Sequence, residues 1–258
     1  LLTLRAVGKV ARLADKVRAE WSEGRQAACA VGIAHTRWAT HGAPTEANAH
    51  PHADASGRIR LVHNGIIENY RTLRTKLESK GHVFASETDT EAVARLVGEY
   101  YKGDLRKAVI SALRQVEGAY GIAVISADEP GRLVVARKGS PLVIGVGEGE
   151  CLVASDPSAL IAHTRRVIYL DDGDVALVTA DSVDITDLDH APMDRDVAEL
   201  EFEAGAVEKG GYAHFMLKEI HEQPESVRNA LRGRLDLLNG TAVLSGMGAT
   251  ARELLDLQ

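Results

Sequence analysis

Apolar residues recur along this chain with two periods, and the change falls near residue 118. Before it, helical spacing dominates. Val10, Leu13, Ala14 and Val17 predict a helix reaching Trp21, and Ile66, Tyr70, Leu73 and Leu77 predict another, stopped by Gly81. Thr88-x-x-Glu91 has the form of a capping box, opening a helix with Ala92, Leu96 and Val97 inward. Leu105, Val109, Leu113 and Val116 mark a further helix, which Gly118 closes. Strands are expected at Leu1–Val7, at Ala27–Ala34, and from Ile59 to an end at His63-Asn64-Gly65, where Asn-Gly reads as a turn leading into the helix at Ile66.

Beyond residue 118 the apolar runs become short and glycine, proline and aspartate punctuate them. Tyr120–Ser126, Arg132–Arg137, Leu142–Gly145, Cys151–Ala154, Val167–Leu170, Asp174–Val178 and Val183–Thr186 read as strands. Their spacing leaves no room for helical crossovers apart from a short helix at Pro157–Ala162, so the strands should be antiparallel. Clustered helices followed by hairpins imply an α+β layered sandwich rather than a doubly wound sheet. Glu199–Gly211 reads as a linker. Ala213–Glu222 and Pro224–Arg232 follow as two helices, with Pro224 in a first turn, and Ala251–Leu257 as a last helical stretch. The division expected is residues 1–203, a linker over 204–212, and the start of a second domain over 213–258. Because Leu1 opens on an apolar run already under way, residues upstream are expected to be missing.

Composition narrows the choice of partner. With a net charge of −7 and basic residues scattered among acidic ones, nothing suggests a nucleic-acid groove or an anionic membrane surface. No apolar run approaches a membrane span and no signal peptide is visible. The two cysteines, Cys29 and Cys151, lie in apolar stretches and read as buried thiols, which fits a cytoplasmic location.

Candidate chemistry concentrates between His35 and Asp89, at the ends of apolar runs. Arg37, followed by Trp38 and Thr40, offers a planar two-pronged donor for a carboxylate. Asp89, at a helix start, is an acceptor for an ammonium group. Together they could hold the two ends of an amino acid; a plain Arg37–Asp89 ion pair or a helix-capping carboxylate would use the same residues. Asn64 and the Gly65 N–H could form an oxyanion hole for acyl transfer, or simply a turn. His35, His41, His50, His52 and His63 invite a zinc reading, but no helical i, i+4 pair, cysteine or carboxylate completes a ligand set. Their expected role is to orient loops through hydrogen bonds, and no metal or cofactor is expected. Gly145-x-Gly147-x-Gly149 precedes a strand rather than a helix, so it is a hairpin turn and not a dinucleotide site.

Taken together, Thr36-Arg37-Trp38-Ala39-Thr40-His41-Gly42, Asn48–His52, His63–Asn69 and Glu87–Glu91 resemble the class II glutamine amidotransferases, glutaminases with an N-terminal nucleophile. Within that family the closer likeness is to members whose glutaminase precedes a sugar-isomerase domain. Gly139-Ser140-Pro141-Leu142-Val143 and Lys218–Pro224 extend it, and the latter has no counterpart in amidophosphoribosyltransferase. The resemblance implies a four-layer αββα sandwich. It also implies a glutaminase that forms a γ-glutamyl thioester and passes ammonia to fructose 6-phosphate in a partner domain, within a homodimer. By the same resemblance Arg37 binds the α-carboxylate of glutamine and Asp89 its α-ammonium. Thr40 and His41 line that end of the pocket, Trp38 flanks the ammonia exit, and His50 belongs to the covering loop. Asn64 and Gly65 form the oxyanion hole. The family's nucleophile, an N-terminal cysteine, has no match among these residues. This leaves open a second reading, a non-catalytic glutamine-binding or regulatory module.

Overall fold

A computed structural model describes residues 1–20, 31–38, 42–200, 210–231, 235–236 and 241–242. Contacts divide the chain into two units, Leu1–Glu201 and Phe202–Gln258.

In the first unit the helical periods become α1 (Val10–Glu20), α2 (Tyr70–Ser79), α3 (Asp89–Tyr100) and α4 (Leu105–Leu113). Thr88 caps α3 as its sequence predicts, its side chain accepting from the Glu91 N–H. The return half of the box is absent: the Glu91 carboxylate instead takes hydrogen bonds from the N–H groups of Ala85 and Ser86. Asp104 caps α4 by accepting from Lys107 N–H.

The strands are β1 (His52–Ala53), β2 (Ile59–Ile67), β3 (Gly118–Ser126), β4 (Leu133–Lys138), β5 (Val143–Val146), β6 (Cys151–Ala154), β7 (Arg166–Tyr169), β8 (Val175–Val178), β9 (Val183–Thr186) and β10 (Ala198–Glu199). They form a six-stranded sheet, β1-β2-β3-β4-β8-β9, and a four-stranded sheet, β10-β7-β5-β6. Every named pair in both is antiparallel.

The period of two decides the layering. Along β4, Val134 and Ala136 pack with the helices, while Leu133 and Val135 pack toward the second sheet. Along β5, Ile144 faces that inter-sheet core and Val143 faces outward, where Leu160, Val167 and Leu200 cover it. Helices, sheet, sheet and an outer cover follow in that order. Among the described residues the outer cover includes a single 3-10 turn, Pro157–Ala159, in place of the short helix expected there. Burying each Val, Leu or Ile in these cores contributes about 1.5–3 kcal/mol.

Three further expectations for this unit need correction. Leu1–Val7 forms no strand; its backbone is held instead by side chains, Lys16 Nζ donating to Arg5 O at 2.8 Å. Over residues 31–34 no strand forms either, although Val31 and Ile33 alternate onto the inter-sheet core with Gly32 and Ala34 exposed. Residues 27–30 lie outside the described part. Asn64-Gly65 does not end β2. Pairing with β3 continues through Asn64↔Gly121 and Gly65↔Tyr120 to Ile67↔Gly118, so long-range pairing overrides the local turn preference and the helix starts at Tyr70.

In the second unit, one helix, α5 (Phe215–Leu231), replaces the two expected, with Pro224 inside it. One missing amide donor costs less than two extra helix ends, each with four unsatisfied backbone groups. A two-residue pair, β11 (Leu235–Asp236) with β12 (Thr241–Ala242), follows. The stretch Ala251–Leu257 lies outside the described residues, as does most of the expected linker. No helix among the described residues is long and apolar enough to cross a membrane.

Candidate active site

Six of the eight residues singled out from the sequence line one cleft of about 1260 Å³: Arg37, Trp38, His50, Asn64, Gly65 and Asp89. The other two, Thr40 and His41, fall outside the described residues. Part of the cleft wall is apolar, contributed by Val31, Ile33, Leu133, Leu142, Val153 and Val178.

Asp89 opens α3, where the positive end of the helix dipole favours a carboxylate. It is buried at 4% exposure, and its oxygens accept from Ile67 N–H and Thr90 N–H, each at 2.9 Å. A carboxylate has about four lone-pair sites, so capacity for a further donor remains. The ion pairs among the described residues do not include Arg37–Asp89, which was the plainer alternative.

Arg37 is braced from the other side. Its guanidinium meets the carbonyls of Gly42 and Ala43 at 3.3 and 3.4 Å. Asn48 ties that loop to the approach of α3: Nδ2 donates to Ala43 O and to Glu87 Oε2, and Oδ1 accepts from Glu87 N–H. Gly42 has φ +76°, and a Cβ there would come within 2.6 Å of Asn48 Nδ2. The approach itself is fixed by the nearly buried Glu91. Burial pushes its pKa up, but bonds from Ser86, Ala85 and Arg95 outweigh this and hold it below the ordinary carboxylate value. Neither the Asn48–Glu87 clamp nor this use of Glu91 is visible in the sequence. The Asn48–Ala49-His50 and Glu87–Glu91 clusters contain both, without any local spacing that pairs them.

Asn64 and Gly65 lie side by side on β2, both exposed to the cleft. Gly65 has φ +123°, and a Cβ on it would stand 2.2 Å from Ala119 O, so only glycine fits. Asn64 Oδ1 is 2.9 Å from His35 Nε2. The His35 ring packs on His50 with centroids 4.1 Å apart, and His50 meets His52 edge-on at 5.1 Å. His52 Nε2 contacts Thr88 Oγ1, and His63 Nδ1 contacts Thr90 Oγ1. The histidines thus join the loop, β2 and the start of α3. Among the described residues no group of three His, Cys, Asp or Glu side chains is arranged to hold a metal. Trp38 is 90% exposed.

The imidazoles of His35, His50 and His52 are held neutral. Burial lowers the His52 pKa to about 4, helped by the nearby Arg5 charge. His50 is lowered further still, by burial and then by His35, His52 and His63. Burial also lowers His35, by more than its bond to Asn64 raises it. The unfolded chain, with ordinary histidines, therefore binds more protons than the folded one below pH 6.5. Stability should be complete above that value and fall as the pH drops toward 4, by roughly 3 kcal/mol from His52 alone. Urea unfolding at several pH values between 7.5 and 4.5 checks this, with His52→Gln expected to lessen the slope and His35 and His50 supplying the remainder. A parent profile already flat over this window would contradict it.

Cys151 also lines the cleft, but it is a poor candidate nucleophile. Burial, Asp181 and Glu150 all raise its thiol pKa, whereas attack requires a thiolate. Cys29 lies outside the described residues.

Residues 35–162, which include every one of these cleft-forming polar side chains, match the family described as glutamine amidotransferase domain. The chain carries a glutamine amidotransferase domain. It is 53% identical over 226 residues to glutamine–fructose-6-phosphate aminotransferase (isomerizing) of Symbiobacterium thermophilum, covering 88% of this chain and 37% of that protein. The enzyme of the same name from one strain of Thermus thermophilus is 49% identical over 254 residues, covering 98% of this chain and 41% of that one. The chain thus spans about two fifths of the length of these curated relatives. The glutamine phosphoribosylpyrophosphate amidotransferase of B. subtilis superposes with a TM-score of 0.50 at 25% identity, over 60% of this chain and 34% of that one. A structure described as the allosteric regulatory enzyme of purine biosynthesis gives 0.51 at 26% identity over the same shares. The amidotransferase domain has the α+β fold of the N-terminal nucleophile type, with two antiparallel sheets and flanking helices.

Proposed function

We propose that this chain is the glutaminase part of a glutamine–fructose-6-phosphate aminotransferase. It frees ammonia from glutamine, and a sugar-isomerase domain beginning near residue 213 uses that ammonia to convert fructose 6-phosphate to glucosamine 6-phosphate. The observation that carries this reading is that Arg37, Asp89 and Asn64 line the same cleft, within the segment that matches the amidotransferase family. Arg37 takes the α-carboxylate of glutamine and Asp89 the α-ammonium, and the family resemblance assigns Thr40 and His41 to the same end. The γ-amide carbonyl then lies toward Asn64 and the Gly65 N–H. Those two donors stabilise the oxygen as a thiolate adds to the carbonyl carbon; the proton given up by the thiol passes to the amide nitrogen, which leaves as ammonia, and water then cleaves the thioester to glutamate and the free thiol. The family resemblance assigns that thiolate to an N-terminal cysteine, and the raised Cys151 pKa makes Cys151 a poor alternative. Trp38 flanks the ammonia exit and His50 the pocket rim. We place the complete enzyme in the cytoplasm as a homodimer.

Relatives at about half identity carry the aminotransferase name, which favours an enzyme over a non-catalytic glutamine-binding module. Glutaminase turnover by the full-length protein tests the reading. Arg37→Ala should raise KM for glutamine by about a hundredfold or more, the loss of a charge-assisted two-pronged contact. Absence of glutamine hydrolysis would overturn the assignment; an unchanged KM would remove Arg37 from it.

A further inference from the structure

An oxyanion hole needs Asn64 to present its Nδ2 donors, yet a carboxamide can turn over and offer its oxygen instead. Asn64 is exposed on β2, and its carboxamide contact is with His35, Nε2 to Oδ1 at 2.9 Å. We propose that His35 is a positioning residue: its Nε2–H, donated to Asn64 Oδ1, turns the Asn64 carboxamide so that Nδ2 faces the cleft. The inference rests on the glutaminase reading above.

Three observations support it. His35 and Asn64 line the cleft together. The His35 ring is half-buried and lies against His50, 4.1 Å between centroids, so it cannot easily swing away. The His63 backbone is near enough to raise the pKa of the ring, but the buried Nδ1 reaches no partner with hydrogen-bond geometry. In the neutral ring a proton on Nδ1 would have only the His63 backbone, outside hydrogen-bond geometry, whereas one on Nε2 meets Asn64 Oδ1 at 2.9 Å. The proton therefore belongs on Nε2, and the atom it meets must be the acceptor oxygen of Asn64. A flipped carboxamide would point that oxygen at the developing negative charge.

The test is a double-mutant cycle on the full-length protein, read by glutamine hydrolysis. His35→Ala should lower kcat by about ten- to a hundredfold, less than removing the donor itself, with KM within about twofold. In an Asn64→Ala background the same substitution should have almost no further effect, since the group being positioned is gone. His35→Gln, whose amide can also donate to Oδ1, should recover part of the loss. Equal losses in both backgrounds would overturn the positioning role, as would a normal kcat for His35→Ala. Should His35→Ala fail to fold, the same cycle run with His35→Gln and His35→Leu decides it: Gln must exceed Leu in kcat, and only while Asn64 is present. If Asn64→Ala left kcat unchanged and Arg37→Ala left KM unchanged, the glutaminase site would be misplaced; if Asn64→Ala lowered kcat and His35→Ala did not, only the positioning role would fail.

Discussion

Asn64→Ala is expected to lower kcat for glutamine hydrolysis by about 10²–10³-fold while leaving KM nearly unchanged. The split follows from where charge develops. Ground-state glutamine has a neutral amide carbonyl, and on the proposed reading its affinity comes from charged ends held at Arg37 and Asp89. Only when a nucleophile adds does the carbonyl oxygen become anionic, and a preorganised donor in a cleft walled partly by Ile33, Leu142 and Val153 then counts most. Asn64 is exposed and its backbone pairing with Gly121 does not involve the side chain, so the variant should fold normally. Steady-state kinetics with a thermal melt alongside check this. A kcat within threefold of the parent would remove Asn64 from the chemistry.

Gly65→Ala should be among the most damaging small substitutions in the domain. The added methyl would stand 2.2 Å from Ala119 O and 2.7 Å from Ala119 C, both backbone atoms of the paired strand, at a φ of +123° that side chains rarely adopt. Backbone strain and overpacking together amount to roughly 3–5 kcal/mol. For a domain of this size that is on the order of a 10 °C fall in Tm. Gly81→Ala is the control: φ is +91° there, but nothing lies within 4 Å of the added atom. It should cost only about 1 kcal/mol. Equal melting temperatures for the two variants would show that the β2–β3 approach is not as tight as described.

Much of this was legible in the sequence where local chemistry and burial agree. Leu105, Val109 and Leu113 are spaced for a helix and lie buried on α4. The short strands from Tyr120 onward form within a residue or two of the apolar runs that glycine, proline and aspartate punctuate. Failures occurred where a distant partner decides. Asn64-Gly65 carries a turn signature, yet Ala119 and Gly118 extend the ladder past it. Residues 1–7 alternate like a strand but have no ladder partner among the described residues. In the site, Arg37, Asn64 and Asp89 were recognisable as residue types suited to an amino acid. The supports were not: Asn48 reaches Glu87 across 39 positions and His35 reaches Asn64 across 29, and no periodicity encodes such pairs.

The proposed function rests on one cleft gripping an amino acid by its α-carboxylate and α-ammonium at once. It is tested most directly by measuring, in the parent and in Arg37→Ala, the affinity for glutamate and for 4-aminobutanoate, which is glutamate without its α-carboxylate. Neither ligand is consumed by hydrolysis. Losing the carboxylate should weaken binding by about a hundredfold in the parent but by no more than about threefold in Arg37→Ala, where its partner is already gone. The same penalty in both proteins would contradict it.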